Sequence, residues 1–123
     1  MLVADDDADI RGLLAAFVSS DAGLKLVGVA ADADQAIALA SEHKPDAALV
    51  DVSMPGGGGL RVVRELRVFS PETSVVALSA YDERNIVIEM LQAGAISYLV
   101  KGATREQILQ SLHRSIDAHA LLA

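Results

Sequence analysis

Apolar positions along the chain fall into two patterns, short continuous runs and longer stretches with helical spacing. The short runs contain few polar residues and are bounded by glycine, proline or charged residues. Such runs predict strands that are buried on both faces of a parallel sheet. The predicted strands are Leu2–Ala4, Leu24–Ala31, Ala47–Val50, Val75–Leu78 and Ala95–Val100.

Each run is followed by a stretch in which apolar residues recur three or four positions apart, the spacing of one helix face. Five helices are therefore predicted, and the fourth spans about residues 83–93. The apolar faces of the other four are Ile10, Leu13, Leu14, Phe17 and Val18; Ala33, Ala36, Ile37 and Ala40; Leu60, Val62, Val63, Leu66 and Phe69; and Ile108, Leu109, Leu112 and Ile116.

Polar residues mark where three of these helices begin. Asp32 with Gln35 and Thr104 with Gln107 match the capping-box pattern, and Asp82 is predicted to cap helix four. Strands that alternate with helices over short connections predict an α/β fold, a doubly wound five-stranded parallel sheet. Right-handed crossovers place helices on both of its faces.

Length and composition narrow the possible functions. The 123 residues predict one domain, 1–123, and no apolar run reaches the roughly 20 residues of a membrane helix. The absence of cysteine fits a cytoplasmic location, and the formal charge of −7 argues against a nucleic-acid surface on this domain. Because strand one begins almost at Met1, we expect the domain to have been cut from a longer protein.

Charged and polar residues collect where the predicted strands end. Asp5 and Asp6 follow strand one, Asp51 follows strand three, Ser79 follows strand four and Lys101 follows strand five. Since parallel strands end at one edge of the sheet, these side chains are predicted to meet there. Three neighbouring carboxylates raise each other's pKa unless a cation lies between them, and oxygen ligands suit Mg²⁺.

This set of residues is suited to phosphoryl transfer. A carboxylate such as Asp51 can attack phosphorus to form an acyl phosphate, while Lys101 balances charge on the transferring group. Ser79 could hydrogen-bond the phosphoryl oxygens of the product. Each feature alone has an ordinary explanation, because an acidic run before a helix is usually a cap and a lone lysine is usually a solvated charge. Their combination at matching strand ends favours a site.

The pattern resembles the receiver (CheY-like) domains of two-component response regulators, over essentially the whole chain. The matching loop is the stretch Asp51-Val-Ser-Met-Pro-Gly-Gly-Gly-Gly59. The resemblance implies a flavodoxin-like strand order of 2-1-3-4-5, a histidine kinase as phosphoryl donor and Asp51 as phospho-acceptor. It also implies a bound Mg²⁺ or Mn²⁺, held by Asp6, Asp51 and the Ser53 carbonyl, with Asp5 acting through water.

The same resemblance implies how phosphorylation reaches a partner. Ser79 would move toward the phosphoryl group, Tyr98 would rotate, and the surface of helix four, strand five and helix five would change. That surface would engage an output domain or partner protein, with homodimerisation as one outcome. Ile86, Val87 and Ile88 cannot all face the sheet, which supports an interface there. Tyr98 is expected to be half-buried.

Two residues are predicted to tune the lifetime of the phosphoryl group. These are Ser53, two positions after Asp51, and Tyr81, two positions after Ser79. By resemblance, both flank the line along which water would attack.

Two departures from the family pattern carry predictions. Glycine follows Lys101 where the family often has proline, and this is similar to regulators of the LuxR/NarL type. The four consecutive glycines from Gly56 to Gly59 predict a loose loop.

Two other functions stay open: a haloacid-dehalogenase-like phosphatase, which uses an Asp-x-Asp motif such as Asp5 to Asp7, and a receiver-like interaction module that is not phosphorylated.

Overall fold

A five-stranded parallel sheet in the order β2-β1-β3-β4-β5 forms the centre of the molecule. The computed structural model describes residues 1–80 and 83–122. Every neighbouring pair of strands is parallel, which confirms the predicted doubly wound fold. The strands are β1 (Leu2–Ala4), β2 (Gly28–Ala30), β3 (Ala47–Asp51), β4 (Ser74–Ser79) and β5 (Ser97–Val100), and the helices are α1 (Ala8–Ser19), α2 (Ala33–His43), α3 (Gly58–Phe69), α4 (Arg84–Ala93) and α5 (Arg105–Leu122).

Successive residues of each central strand feed two separate cores, one on each face of the sheet. In β3, Ala48 and Val50 join the core under α2, α3 and α4, whereas Ala47 and Leu49 join the core under α1 and α5. All four are fully buried. Because side chains of a strand alternate between faces, a sheet covered on both sides needs continuous apolar runs. This explains why the strands were readable from the sequence.

Strand β2 is shorter than predicted. It comprises only Gly28–Ala30, because it lies at the edge of the sheet and its single partner β1 offers three residues for pairing. Leu24, which was placed in the strand, lies outside it but is buried in the core under α1 and α5. Strand β5 likewise begins at Ser97 rather than Ala95.

Two apolar residues assigned to buried helix faces are exposed. Leu13 in α1 is 54% exposed and Phe69, the last residue of α3, is 47% exposed. Both helices have narrower buried stripes than predicted, centred on Leu14 and Val18 in α1. The expected small-residue stripe of α2 is confirmed, since Ala33, Ala36 and Ala40 are fully buried against the sheet.

Polar caps fix the starts of several helices. Asp32 accepts a hydrogen bond from the Gln35 backbone N–H at 2.8 Å, and Thr104 and Gln107 bond each other's backbone N–H groups at 3.1 and 2.9 Å. The capping box of Thr104 is thus complete, whereas Asp32 caps α2 but the Gln35 side chain bonds the N–H of Ala31 rather than that of Asp32. Asp82 lies outside the described residues.

Among residues 1–80 and 83–122, no helix is long and apolar enough to cross a membrane.

Candidate functional site

Three carboxylates meet at the carboxyl edge of the sheet. Ala4 pairs with Val50, so the next residues, Asp5 and Asp51, leave adjacent strands side by side. One oxygen from each of Asp5, Asp6 and Asp51 lies within 4.8 Å of the others. Asp5 and Asp51 are buried and Asp6 is exposed, so the group opens to solvent on one side.

Lys101 extends into this acidic group. Its Nζ lies 3.0 Å from Asp51 Oδ2 and 3.5 Å from Asp5 Oδ2. The lysine backbone is anchored by its N–H, which donates to the Ser79 carbonyl at 2.8 Å as β5 leaves the sheet. The ammonium therefore contacts two buried carboxylates at once.

Burial and charge shift the pKa values of this pair. Burial raises the pKa of Asp51 to about 6, the nearby charge of Asp5 adds to the rise, and hydrogen bonds from Lys101 and from the Ser53 N–H partly offset it. For Lys101, burial lowers the pKa, but the hydrogen bond and charge of Asp51 outweigh burial and the pKa is raised. Each partner thus stabilises the ionised form of the other.

The donor set fits a hard divalent cation. Asp5 Oδ1 accepts a hydrogen bond from the Asp7 N–H at 2.9 Å. Its buried Oδ2 has only the 3.5 Å ionic contact with Lys101 and no hydrogen bond among the described residues. Buried carboxylate oxygens are normally satisfied, and three clustered carboxylates are the oxygen ligands that Mg²⁺ prefers.

Ser79 lies at the same edge of the sheet. It is the last residue of β4, it is 3% exposed, and it follows Leu78, which pairs with Asp51. The Val52 N–H donates to the Leu78 carbonyl at 3.0 Å and holds the two strand ends together. The structure therefore brings Ser79 to the edge that carries Asp5, Asp51 and Lys101.

Ser53 is linked to a residue that the sequence did not single out. Its backbone N–H donates to Asp51 Oδ1 at 3.2 Å, and its hydroxyl donates to Glu83 Oε2 at 2.6 Å. The other oxygen, Glu83 Oε1, accepts from the Ala80 N–H at 2.5 Å. In the sequence, Glu83 stands at the start of a helix, where acidic residues are common, so nothing there indicated a contact with Ser53.

Two predictions about tyrosines have different outcomes. Tyr98 lies in β5 and is 53% exposed, so about half of its surface is buried, as expected. Tyr81 lies outside the described residues, and its tuning role stays a prediction.

The glycine run has a steric reason at each position. Gly56, Gly57 and Gly58 have φ angles of 89°, 111° and 70°, a region that side-chain-bearing residues rarely adopt. A Cβ on Gly59 would lie 2.6 Å from the Asp51 carbonyl oxygen. The prediction of a loose loop stays a prediction, but the run is explained by backbone geometry.

Arg61 lies over this loop and was also missed from the sequence. Its guanidinium donates to Asp34 at 2.6 Å and to the Gly56 carbonyl at 2.7 Å, and it pairs with Glu65 at 2.7 Å. A Cβ on Gly57 would lie 2.8 Å from the Arg61 Cδ. The small loop residues therefore make room for an arginine that joins the loop to α2.

Exposed apolar side chains are present on α4 and on β5. Val87 of the Ile86–Ile88 run faces the core, whereas Ile88 is 45% exposed, as the helical spacing required. Leu91, Tyr98 and Val100 are also exposed. We call these four residues, Ile88, Leu91, Tyr98 and Val100, the α4–β5 patch.

The class of protein follows from the fold, the site and a family match. Residues 1–113 match the family model of the response regulator receiver domain. The chain therefore belongs to this family and is a signalling domain of the CheY-like type.

Individual relatives place the chain near regulators of the NarL and GacA type. It is 36% identical over 114 residues to the response regulator GacA of Pseudomonas aeruginosa, covering 93% of this chain and 53% of that protein. The signal receiver domain of NarL from Mycobacterium tuberculosis has 34% identity and a TM-score of 0.89 over 94% of both chains. The response regulator domain of CheB from Thermotoga maritima has 28% identity and a TM-score of 0.85 over 94% of both chains. The chain spans about half the length of the curated relatives that it matches.

Proposed function

We propose that this domain accepts a phosphoryl group from a histidine kinase onto Asp51. The observation that carries the proposal is the contact of Lys101 Nζ with Asp51 Oδ2 at 3.0 Å, inside a cluster of three carboxylates within 4.8 Å. A buried carboxylate with a neighbouring ammonium is a positioned nucleophile rather than a surface charge.

In the proposed step, an Asp51 carboxylate oxygen attacks the phosphorus of a phosphohistidine. An O–P bond forms, the N–P bond breaks, and the imidazole of the kinase leaves with the bonding electron pair. The Lys101 ammonium balances negative charge on the transferring group, and the Ser79 hydroxyl hydrogen-bonds a phosphoryl oxygen of the product. Hydrolysis of the acyl phosphate would return the domain to its starting state, and Ser53 and Tyr81 are proposed to set that rate.

A divalent cation, Mg²⁺ or Mn²⁺, would be held by Asp6, Asp51 and the Ser53 carbonyl, with Asp5 nearby. The buried Asp5 Oδ2, which lacks a hydrogen bond among the described residues, supports this assignment. When bound, such a cation neutralises charge on phosphoryl oxygens.

The direct test is labelling by a small phosphodonor. Wild-type protein, Asp51→Asn and Asp46→Asn would be incubated with acetyl phosphate and Mg²⁺, and the acyl phosphate detected by intact mass and by acid-stable, base-labile chemistry. Asp46 is an exposed carboxylate at the other end of the same strand, so it matches the change in charge. We expect labelling of wild type and Asp46→Asn, none of Asp51→Asn, and loss of labelling with a chelator. Unlabelled wild type would favour a phosphorylation-independent module.

The phosphatase alternative receives no support from the geometry. It requires the Asp5 to Asp7 pair to act together, yet Asp7 caps α1, accepting from the N–H groups of Asp9 and Ile10 at 2.9 and 3.2 Å. Turnover of a phosphate monoester by the purified domain would revive it.

For output, we propose that phosphorylation of Asp51 changes the surface formed by α4, β5 and α5. The α4–β5 patch supports this, because Ile88 and Leu91 lie one turn apart on α4 and Tyr98 and Val100 lie on one face of β5, all exposed to solvent. The occupant would be an output domain, a partner protein or a second copy of this domain, in the cytoplasm. Relatives named as transcriptional regulatory proteins suggest gene regulation as the output.

A further inference from the structure

Glu83 makes a contact across the mouth of the acidic cluster that the proposed phosphoryl transfer does not use. Its Oε2 accepts from the Ser53 hydroxyl at 2.6 Å and its Oε1 from the Ala80 N–H at 2.5 Å. Ser53 lies two residues after Asp51, and Ala80 directly follows Ser79. A single carboxylate therefore joins the chain segments that leave β3 and β4.

Both of its hydrogen-bond donors belong to residues that closely follow the site strands, Ser53 after β3 and Ala80 after β4. The backbone N–H of Ser53 already donates to Asp51 Oδ1 at 3.2 Å, so this residue borders the carboxylate. The Ala80 N–H is the first backbone donor beyond β4, the strand that pairs with β3. Backbone N–H groups that leave a strand end are suited to binding anions. The Glu83 carboxylate is thus an anion of the protein itself that occupies two hydrogen-bond donors beside the site.

We propose that Glu83 is an autoinhibitory residue, whose carboxylate holds Ser53 and Ala80 in the unphosphorylated arrangement and is displaced when Asp51 is phosphorylated. This inference rests on the proposed function. A phosphoryl group adds roughly −1.5 to −2 charge. Two anions cannot share the same few donors, since like charges so close repel each other. Phosphoryl transfer would therefore have to release two charge-assisted hydrogen bonds.

The alternative is that Glu83 only fixes the start of α4. The Glu83 N–H donates to the Ala80 carbonyl at 3.3 Å, so the two residues bond each other in both directions. This local bonding explains the contact with Ala80 but gives no role to the contact with Ser53. The alternative predicts changes in the stability of α4 without changes in phosphoryl transfer.

The test compares Glu83→Gln and Glu83→Ala with wild type and Glu89→Gln. Gln keeps an acceptor of the same shape and removes the charge, while exposed Glu89 on the same helix matches the change in net charge. Labelling rates would be measured against acetyl phosphate concentration at saturating Mg²⁺. We expect Glu83→Gln to be faster by up to about fivefold and Glu83→Ala by about tenfold, with Glu89→Gln unchanged.

Two further measurements separate inhibition from turn structure. Ser53→Ala should also accelerate labelling, and combining it with Glu83→Ala should add little, because Glu83→Ala already removes the contact between the two side chains. Without any phosphodonor, the Ser53 and Ala80 amide signals should move in Glu83→Ala and stay near wild type in Glu89→Gln. Labelled wild type with equal rates in all Glu83 variants would overturn the inhibitory role alone. Failure of wild type to be labelled would overturn the proposed function, and the inhibitory role with it.

Discussion

The two connections that flank the acidic cluster are held by different means. The β3–α3 connection is fixed by its backbone: Gly58 N–H donates to the Met54 carbonyl and Gly59 N–H to the Val52 carbonyl, both at 3.0 Å. At the β4–α4 connection, the Glu83 side chain makes two hydrogen bonds, beside one backbone hydrogen bond from the Glu83 N–H to the Ala80 carbonyl. A backbone-fixed segment keeps one geometry, whereas a segment held by one carboxylate can be released by a competing anion. Under the proposed inhibition, the first connection positions Asp51, and the contacts of Glu83 with Ser53 and Ala80 are the ones that phosphorylation releases.

The largest effect should come from breaking the backbone-fixed connection. In Gly59→Ala, the new Cβ would lie 2.6 Å from the Asp51 carbonyl oxygen and 2.9 Å from the Met90 methyl carbon. Since the carbonyl belongs to the strand end, the backbone must shift, and we expect the free energy of unfolding to fall by about 2–3 kcal/mol. Urea unfolding followed by circular dichroism measures the change.

Gly12→Ala is the matched control for this substitution. Gly12 lies inside α1, and a Cβ there would meet nothing within 4 Å. Alanine should therefore stabilise the protein by roughly 0.5–1 kcal/mol. Equal effects of the two substitutions would contradict the view that Gly59 is required for close approach.

A smaller effect is expected on the pH dependence of the protein's stability. It comes from Asp51, where the same connection begins. The pKa of Asp51 is raised to about 6 by burial, above its ordinary value of 3.8. The folded state therefore holds this proton more tightly than the unfolded state. The stabilisation that this proton gives the folded state is fully present below about pH 4. It is lost as pH rises toward about 6, and above that pH it changes no further.

Asp51→Asn should abolish this decline. In buffer containing a chelator, the variant should become more stable than wild type through the same pH window, by on the order of 1–2 kcal/mol at pH 7. Unfolding midpoints at closely spaced pH values measure the difference, with Asp46→Asn as control. A constant difference between Asp51→Asn and wild type from pH 4 to 7 would show that burial does not raise this pKa.

The smallest effect should come from the side chain that joins the first connection to α2. Arg61→Ala removes the contacts with Asp34 and the Gly56 carbonyl. Because these contacts are exposed to solvent, we expect amide exchange at Gly56 and Gly57 to accelerate by only about twofold to fivefold. Exposed Arg64, in the same helix, supplies the control Arg64→Ala.

A larger acceleration in Arg61→Ala would change the comparison of the two connections. It would mean that the first connection, like the second, depends on one charged side chain, and it would support the prediction of a loose glycine loop.

Local sequence patterns were sufficient for the fold class. Continuous apolar runs identified the strands because a sheet covered on both faces buries every strand residue, as in Ala47–Val50. The runs failed at edges: β2 ended early where its partner supplied only three residues, and Leu13 was exposed where helix packing stopped. Both errors arise because the pairing and packing partners of a segment are distant in sequence, so a local pattern does not encode them.

The candidate site divides in the same way. The sequence by itself determined that Asp5, Asp6, Asp51, Ser79 and Lys101 would share an edge, since parallel strands must end together. Only the tertiary structure brought Ser53 to Glu83, which is thirty residues away, and Arg61 to Asp34 and Gly56. A parallel sheet covered on both faces follows from periodicity and handedness, and its strand order was implied by the family resemblance. Contacts between loops, in contrast, depend on backbone angles and side-chain reach after the sheet has closed.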